Sequence, residues 1–191
     1  MRASQVLLVG FLGLTLLSAE ISAASVAREL EGVRFEPKLN VEGRDLELRG
    51  IGLLRYKVFL KAYVAALYIE PPLIDTEEVP AGRRLELEYF WSISADGFAQ
   101  ATRDGIARNV NGAEYAKLSD RIERLGELYR DVSPGDRYSL TFLPGRGTEL
   151  ALNGEALGLI EGDDFAEAVF SIWLGREPLD EGLKEDLLGK S

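Results

Sequence analysis

Arg55 is the first residue to weigh, because it follows Gly50-Ile51-Gly52-Leu53-Leu54 in a stretch patterned as sheet interior. A guanidinium placed there needs a partner. An Asp or Glu at the sheet edge would serve. So would the carboxylate or enolate of a ligand, which the fork of N–H donors fits bidentately. Tyr63 and Tyr68 are the available tyrosines of the neighbouring run Lys61-Ala62-Tyr63-Val64-Ala65-Ala66-Leu67-Tyr68-Ile69. Each wants a hydrogen bond that backbone or a ligand oxygen could supply, and plain core packing is the alternative for both. Lys61 would lower the Tyr63 pKa if the two side chains met. Arg55, Tyr63 and Tyr68 are the candidate ligand-binding residues, and their chemistry is that of holding an oxygen.

What the chain lacks narrows that chemistry further. It has 191 residues and contains neither histidine nor cysteine. This removes imidazole bases, Ser-His triads, thiolate nucleophiles, zinc ribbons and disulfides. Catalysis would fall to Asp, Glu, Tyr, Lys, Arg or bound water, and no catalytic residue is assigned. No Asp-x-Asp-x-Asp loop offers a calcium site, so no metal and no cofactor is expected. The net charge of −10 would repel phosphate backbones, so no nucleic-acid partner is expected. Hydrophobic residues at 46% and charged residues at 28% suit a globular protein with a real core.

The elements that must position these residues follow from periodicity. Leu46 and Leu48 alternate with Asp45, Glu47 and Arg49 as in a half-buried strand, and the apolar run Val58–Ile69 reads as a central strand. Gly50 and Gly52 mark a bulge or a close backbone approach. Pro71-Pro72 ends that strand. Leu85, Leu87 and Tyr89 share a face of the next. Ser94 is placed to cap a helix over 95–110, Asn111-Gly112 stops it, and a second helix over 113–130 carries Tyr115, Leu118, Ile122, Leu125 and Tyr129 on one stripe. The opposite face, including Arg121, reads as solvated. Ser133-Pro134-Gly135-Asp136 is patterned as a type II turn. Tyr138, Leu140 and Phe142 then mark a strand, and Asn153-Gly154 a tight hairpin. Pro144-Gly145-Arg146-Gly147-Thr148 is a hairpin turn or a nest of N–H groups for an anion. Phe165, Ala168, Val169, Ile172 and Trp173 have helical spacing up to Gly175, and Leu179, Leu183 and Leu187 mark a last short helix. The order implies an α+β fold, a mainly antiparallel sheet with a layer of helices on one face.

The N-terminus reads as an address. Arg2 precedes the apolar run Val6–Leu17, and Ser22-Ala23-Ala24 supplies small residues for cleavage. Residues 1–24 are read as a secretory signal peptide and 25–191 as a single domain. Export to a periplasm is expected, with no stable membrane anchor after cleavage.

Taken together, Gly50-Ile51-Gly52-Leu53-Leu54-Arg55, the Lys61–Ile69 run, Pro144-Gly145-Arg146-Gly147-Thr148, Asn153-Gly154, Asp164-Phe165 and Ile172-Trp173-Leu174-Gly175 resemble the bacterial chalcone isomerase-like proteins. That family is related to plant chalcone isomerases and to non-catalytic fatty-acid binders. The resemblance implies an open-faced sandwich with a ligand cleft between sheet and helices. It also implies an arginine on the glycine-marked strand lining that cleft, joined in the fatty-acid-binding branch by a tyrosine from the neighbouring strand. Tyr63 stands where the plant isomerases have a catalytic threonine. Their Tyr and Asn, seven positions apart, are not reproduced, since Thr102 stands seven before Asn109.

The expectation that follows is an exported, non-catalytic binder of a small amphiphilic carboxylate such as a fatty acid. An isomerase or lyase that stabilises an oxyanion, and a structural or partner-interaction protein without a small ligand, are the alternatives.

Overall fold

The computed structural model describes residues 26–56, 60–71 and 82–190. The leader expected over 1–24, Val58 and Pro72 lie outside them. The strands β1 (Arg28–Leu30) and β2 (Val33–Phe35) form a small hairpin. β3 (Lys38–Val41), β4 (Arg44–Tyr56), β5 (Leu60–Ile69) and β6 (Arg83–Tyr89) lead to the helices α1 (Ala95–Asn109) and α2 (Gly112–Leu128). β7 (Arg137–Leu143), β8 (Gly147–Leu152) and β9 (Glu155–Ile160) follow, then α3 (Asp163–Leu174) and α4 (Glu181–Leu187). Among the described residues, β3 to β9 form one antiparallel sheet in which each strand pairs with the next in sequence. The α+β fold expected from the sequence is what forms.

Strand β5 shows how the sheet sorts its residues. Tyr63, Ala65 and Leu67 face the helices, where α1, α2 and α3 bring Ile106, Ile122, Phe165 and Val169 onto them. Val64, Ala66 and Tyr68 point the other way, onto Val33, Phe35 and Leu46. Alternation of side chains along a strand makes this division automatic. The second face is therefore not bare, because the β1–β2 hairpin lies over part of it.

Gly50 and Gly52 meet both expectations. The register of β4 against β5 shifts between Leu48 and Gly50, so the strand bulges at Arg49. Leu46 faces the β1–β2 hairpin, whereas Gly50 and Gly52 beyond the bulge face α4. A Cβ on Gly50 would sit 2.1 Å from the Asp186 carbonyl oxygen, and one on Gly52 2.7 Å from Leu183 Cδ1. The absence of side chains lets α4 lie directly on the strand.

The local signals place the other boundaries. Ser94 Oγ accepts from Gly97 N at the start of α1, and Asn111 with Glu114 forms a capping box at the start of α2. Asn153 and Gly154 both adopt positive φ, as a two-residue type I′ turn requires. Gly135 has φ 92° and Asp136 N donates to Ser133 O, the geometry of the expected turn. Pro144–Gly147 is a plain hairpin turn whose Arg146 pairs with Glu42 and Glu149. One surface assignment changes: Arg121 is not simply solvated, but grips both Asp164 oxygens at 2.7 Å and ties α2 to the first turn of α3. That pair holds the Asp164 carboxyl below its usual range.

Candidate functional site

Register places two tyrosines side by side. Tyr63 on β5 pairs directly with Tyr89 on β6, and their rings meet edge to face at 5.5 Å. Tyr138 on β7 continues the row, 6.1 Å from Tyr89. The Ser94 cap sets the phase of α1, so that Phe98, Ala101 and Thr102 descend over these rings. Phe98 packs against Tyr89 and Tyr138 and stacks on Tyr129, the residue that caps the end of α2. A backbone bridge between Ile93 and Val132 pins the two helix-flanking loops together. Between this aromatic floor and the helices lies a chamber of about 160 Å³, closed on one side by Ile172 and Trp173 of α3. A void of that size is on the scale that holds one small apolar group.

A second cavity adjoins the chamber on its outer side. Tyr63, Ile93 and Leu179 belong both to its wall and to an open groove of about 560 Å³ at the end of the β4–β5 hairpin. Tyr56, Leu60, Trp91 and Leu179, four large apolar side chains left exposed, line the groove together with Arg55 and Asp180. Apolar walls thus adjoin from the protein surface to the sheet–helix interior, with Tyr63, Ile93 and Leu179 between groove and chamber.

Each candidate residue has a definite place. Arg55 is at the mouth, not in the interior, and its side chain is 47% exposed. The apolar pattern around it was misleading because β4 and β5 overhang the sheet: Arg55 pairs with Lys61, while β6 begins to pair with β5 only at Tyr63. Its guanidinium lies 3.6 Å from Glu31, a carboxylate also held by Lys61 at 2.5 Å. Lys61 therefore engages Glu31 and does not lower the Tyr63 pKa. Burial raises that phenol instead, opposed by the hydrogen bond that Trp173 Nε1 donates to its oxygen at 3.0 Å. Tyr63 lines both chamber and groove.

Tyr68 is on the opposite face, fully buried beneath the β1–β2 hairpin, and its hydroxyl has no hydrogen-bond partner among the described residues. Burial raises its pKa, with the Glu86 carboxylate adding to the shift. Glu86 is itself enclosed between Arg84 at 2.9 Å and Arg137 at 3.1 Å. Tyr63 and Tyr68 are thus separated by the sheet. Thr102 and Asn109 also part company. Thr102 faces the chamber and shares a 2.9 Å hydrogen bond with Tyr129, whereas Asn109 bridges Gly105 and Glu177 backbone groups outside it.

Tyr89, Tyr129, Tyr138 and Phe98 were not singled out from the sequence. The alternation of Leu85, Leu87 and Tyr89, and of Tyr138, Leu140 and Phe142, marks them as inward-facing, but only strand register brings their rings together. Burial is the main force raising the phenol pKa values of all four chamber tyrosines, that of Tyr129 to about 12. They stay neutral at any physiological pH and act as hydrogen-bonding groups, not as proton acceptors. Among the described residues, no cluster of three acidic side chains could hold a metal ion. No described helix is long and apolar enough to cross a membrane.

The family model described as chalcone isomerase-like matches residues 27–189. In fold the chain is similar to a fatty-acid binding protein of Arabidopsis thaliana, AtFAP1, with a TM-score of 0.65 over 85% of this chain and 96% of that one. The two are 15% identical, so the likeness is one of fold. No curated protein matches the sequence.

Proposed function

The chain belongs to the chalcone isomerase-like family, and within it we propose a non-catalytic carrier of a fatty acid or similar amphiphilic carboxylate. The observation that carries this reading is the apolar wall shared by the exposed groove and the aromatic chamber, with a cation at the groove's mouth. The ligand's apolar part lies along the path, and its carboxylate stays at the mouth beside Arg55. A charged head group taken into the chamber would meet neutral phenols and no counter-ion among the described residues. At the entrance it keeps part of its hydration and gains the guanidinium. The fatty-acid-binding activity named for the Arabidopsis protein of similar fold is in keeping with this reading. Tyr68 has no part in it, because its side chain lies across the sheet.

Native mass spectrometry of gently purified protein tests the proposal directly, since a carrier retains an acyl chain. Titration of the delipidated protein with medium-chain acids should then show saturable binding. Arg55→Ala should weaken that binding about fivefold, the worth of a half-exposed charge pair of about 1 kcal/mol. Its melting temperature should hardly move, because Lys61 still neutralises Glu31. Arg55→Lys should recover only part of the affinity, since a point charge does not reproduce the fork. Retention of no acyl chain, together with no binding of any acid, rejects the carrier. Non-catalytic action means that chalcones should cyclise no faster than they do spontaneously; turnover lost in Arg55→Ala would establish the isomerase instead. We further propose that the carrier is exported on the leader over 1–24. N-terminal sequencing of the mature protein should then begin near Ala24 or Ser25, and a retained Met1 removes the leader from the account.

A further inference from the structure

The hydroxyls around the chamber are not equally occupied. Tyr138 uses both capacities on Arg130, donating to its carbonyl at 2.9 Å and accepting from its N–H at 2.7 Å. Tyr129 is engaged with Thr102. Tyr63 accepts from Trp173 and keeps its own proton. Tyr89 is 4% exposed, and its hydroxyl takes no hydrogen bond among the described residues. Two adjacent phenols, paired across β5 and β6, thus hold unspent donors beside the chamber. An unspent hydroxyl donor on the wall of an apolar chamber gains a hydrogen bond when an oxygen enters that chamber.

The chamber wall defines which oxygen. Among the described residues no cation lines it, so a carboxylate seated there would be a buried, uncompensated charge. A hydroxyl or a keto oxygen accepts from neutral phenols without that penalty. Position follows from register. Leu54, Tyr63 and Tyr89 lie side by side on three consecutive strands, with Arg55 the next residue after Leu54. Arg55 is therefore two strand spacings from Tyr89, about 10 Å at the backbone. The two polar ends of a ligand that uses both must be well separated along its length.

We infer that this protein selects amphiphilic carboxylates that carry a second, uncharged oxygen remote from the carboxylate, and that Tyr89, with Tyr63, reads it. This rests on the carrier function proposed above and names its ligand class. An ordinary saturated acid would bind through its chain and Arg55 alone. An oxygen on the carbon next to the carboxylate would remain at the mouth and gain nothing.

Calorimetric titration of delipidated protein with decanoate, α-hydroxydecanoate and ω-hydroxydecanoate tests this. The ω-hydroxy acid should bind about tenfold more tightly than the other two, the scale of one hydrogen bond made inside an apolar chamber. Tyr89→Phe should abolish that preference, read as the ratio of ω-hydroxydecanoate to decanoate affinity within the variant. The variant keeps the ring and its packing, so without ligand it should melt no lower than the parent, which separates a lost reader from a damaged fold. Equal affinity for decanoate and ω-hydroxydecanoate in the parent overturns the selection while leaving the carrier in place, as when a resident water already serves Tyr89. A preference that survives in Tyr89→Phe overturns the role of that residue. Failure of all three acids to bind overturns the carrier and this inference together.

Discussion

Seven tyrosines share one chemistry, and their surroundings give them different work. Tyr138 is the structural one: its hydroxyl joins the Arg130 backbone to β7 through two short hydrogen bonds. Tyr138→Phe leaves both Arg130 groups short of a partner and should cost about 1–3 kcal/mol by denaturant melts. Tyr89→Phe, with no bond to lose, should cost nothing, and the contrast between two isosteric changes in one cavity is the informative measurement. Alkali should reveal the same burial collectively. Tyr63, Tyr68, Tyr89, Tyr129 and Tyr138 have folded-state pKa values above the free phenol value of about 10. Above that pH the unfolded chain ionises while the folded one holds its protons, so stability is complete below about pH 10 and falls as pH rises toward the folded values. Phenolate absorbance from these five should appear together with unfolding, and gradual titration in a still-folded protein would contradict their burial. The sequence held part of this. Tyr63 and Tyr68 are five residues apart on one strand, an odd interval that must put them on opposite faces, so only one of the pair was ever available to the cleft. The exposure of Arg55 was not legible, because it depends on how far the β4–β5 hairpin extends past the edge of β6.

Among the elements, the short helix α4 depends most on a single strand. Gly50 and Gly52 leave the backbone of β4 bare where α4 lies on it, and the nearest atoms to Gly50 are α4 carbonyl groups, which no rotamer change can move aside. Gly50→Ala should therefore displace α4 or distort the strand, at about 3 kcal/mol by urea denaturation. Because Leu179, which precedes α4, lines both chamber and groove, acyl-ligand affinity should fall along with stability. A fully stable Gly50→Ala protein would mean that α4 is loosely held. The cap at Ser94 and the turns at Gly135 and Asn153-Gly154 were legible because a few neighbouring residues determine each, whereas Asn111, read as a helix stop, caps α2. The bulge at Arg49 was foreshadowed by Gly50 and Gly52 and the last helix by Leu183 and Leu187, but not that the one rests on the other. Where the bulge falls, and what rests on it, are decided by residues more than a hundred positions later.

At the scale of the whole molecule, the sheet separates two interiors with different contents. The helix side holds the aromatic chamber, and the hairpin side encloses Tyr68 beside Glu86, Arg84 and Arg137. Both tryptophans of the chain are on the path assigned to the ligand: Trp91 is half exposed in the groove and Trp173 borders the chamber. Intrinsic fluorescence can therefore locate the ligand as well as detect it. An acyl chain lying in the groove should cover Trp91, shift its emission to shorter wavelength and protect it from acrylamide. Trp91→Phe should remove that response while preserving calorimetric affinity to within a few-fold, because the lost ring is only one wall of an open groove. Trp173→Phe deletes the donor to Tyr63 and should leave the Trp91 signal intact. A ligand seated on the hairpin side, by Tyr68, would leave both tryptophans silent while calorimetry still registered binding. That outcome would move the site across the sheet, because no apolar path among the described residues joins the two faces except through the packed strand β5.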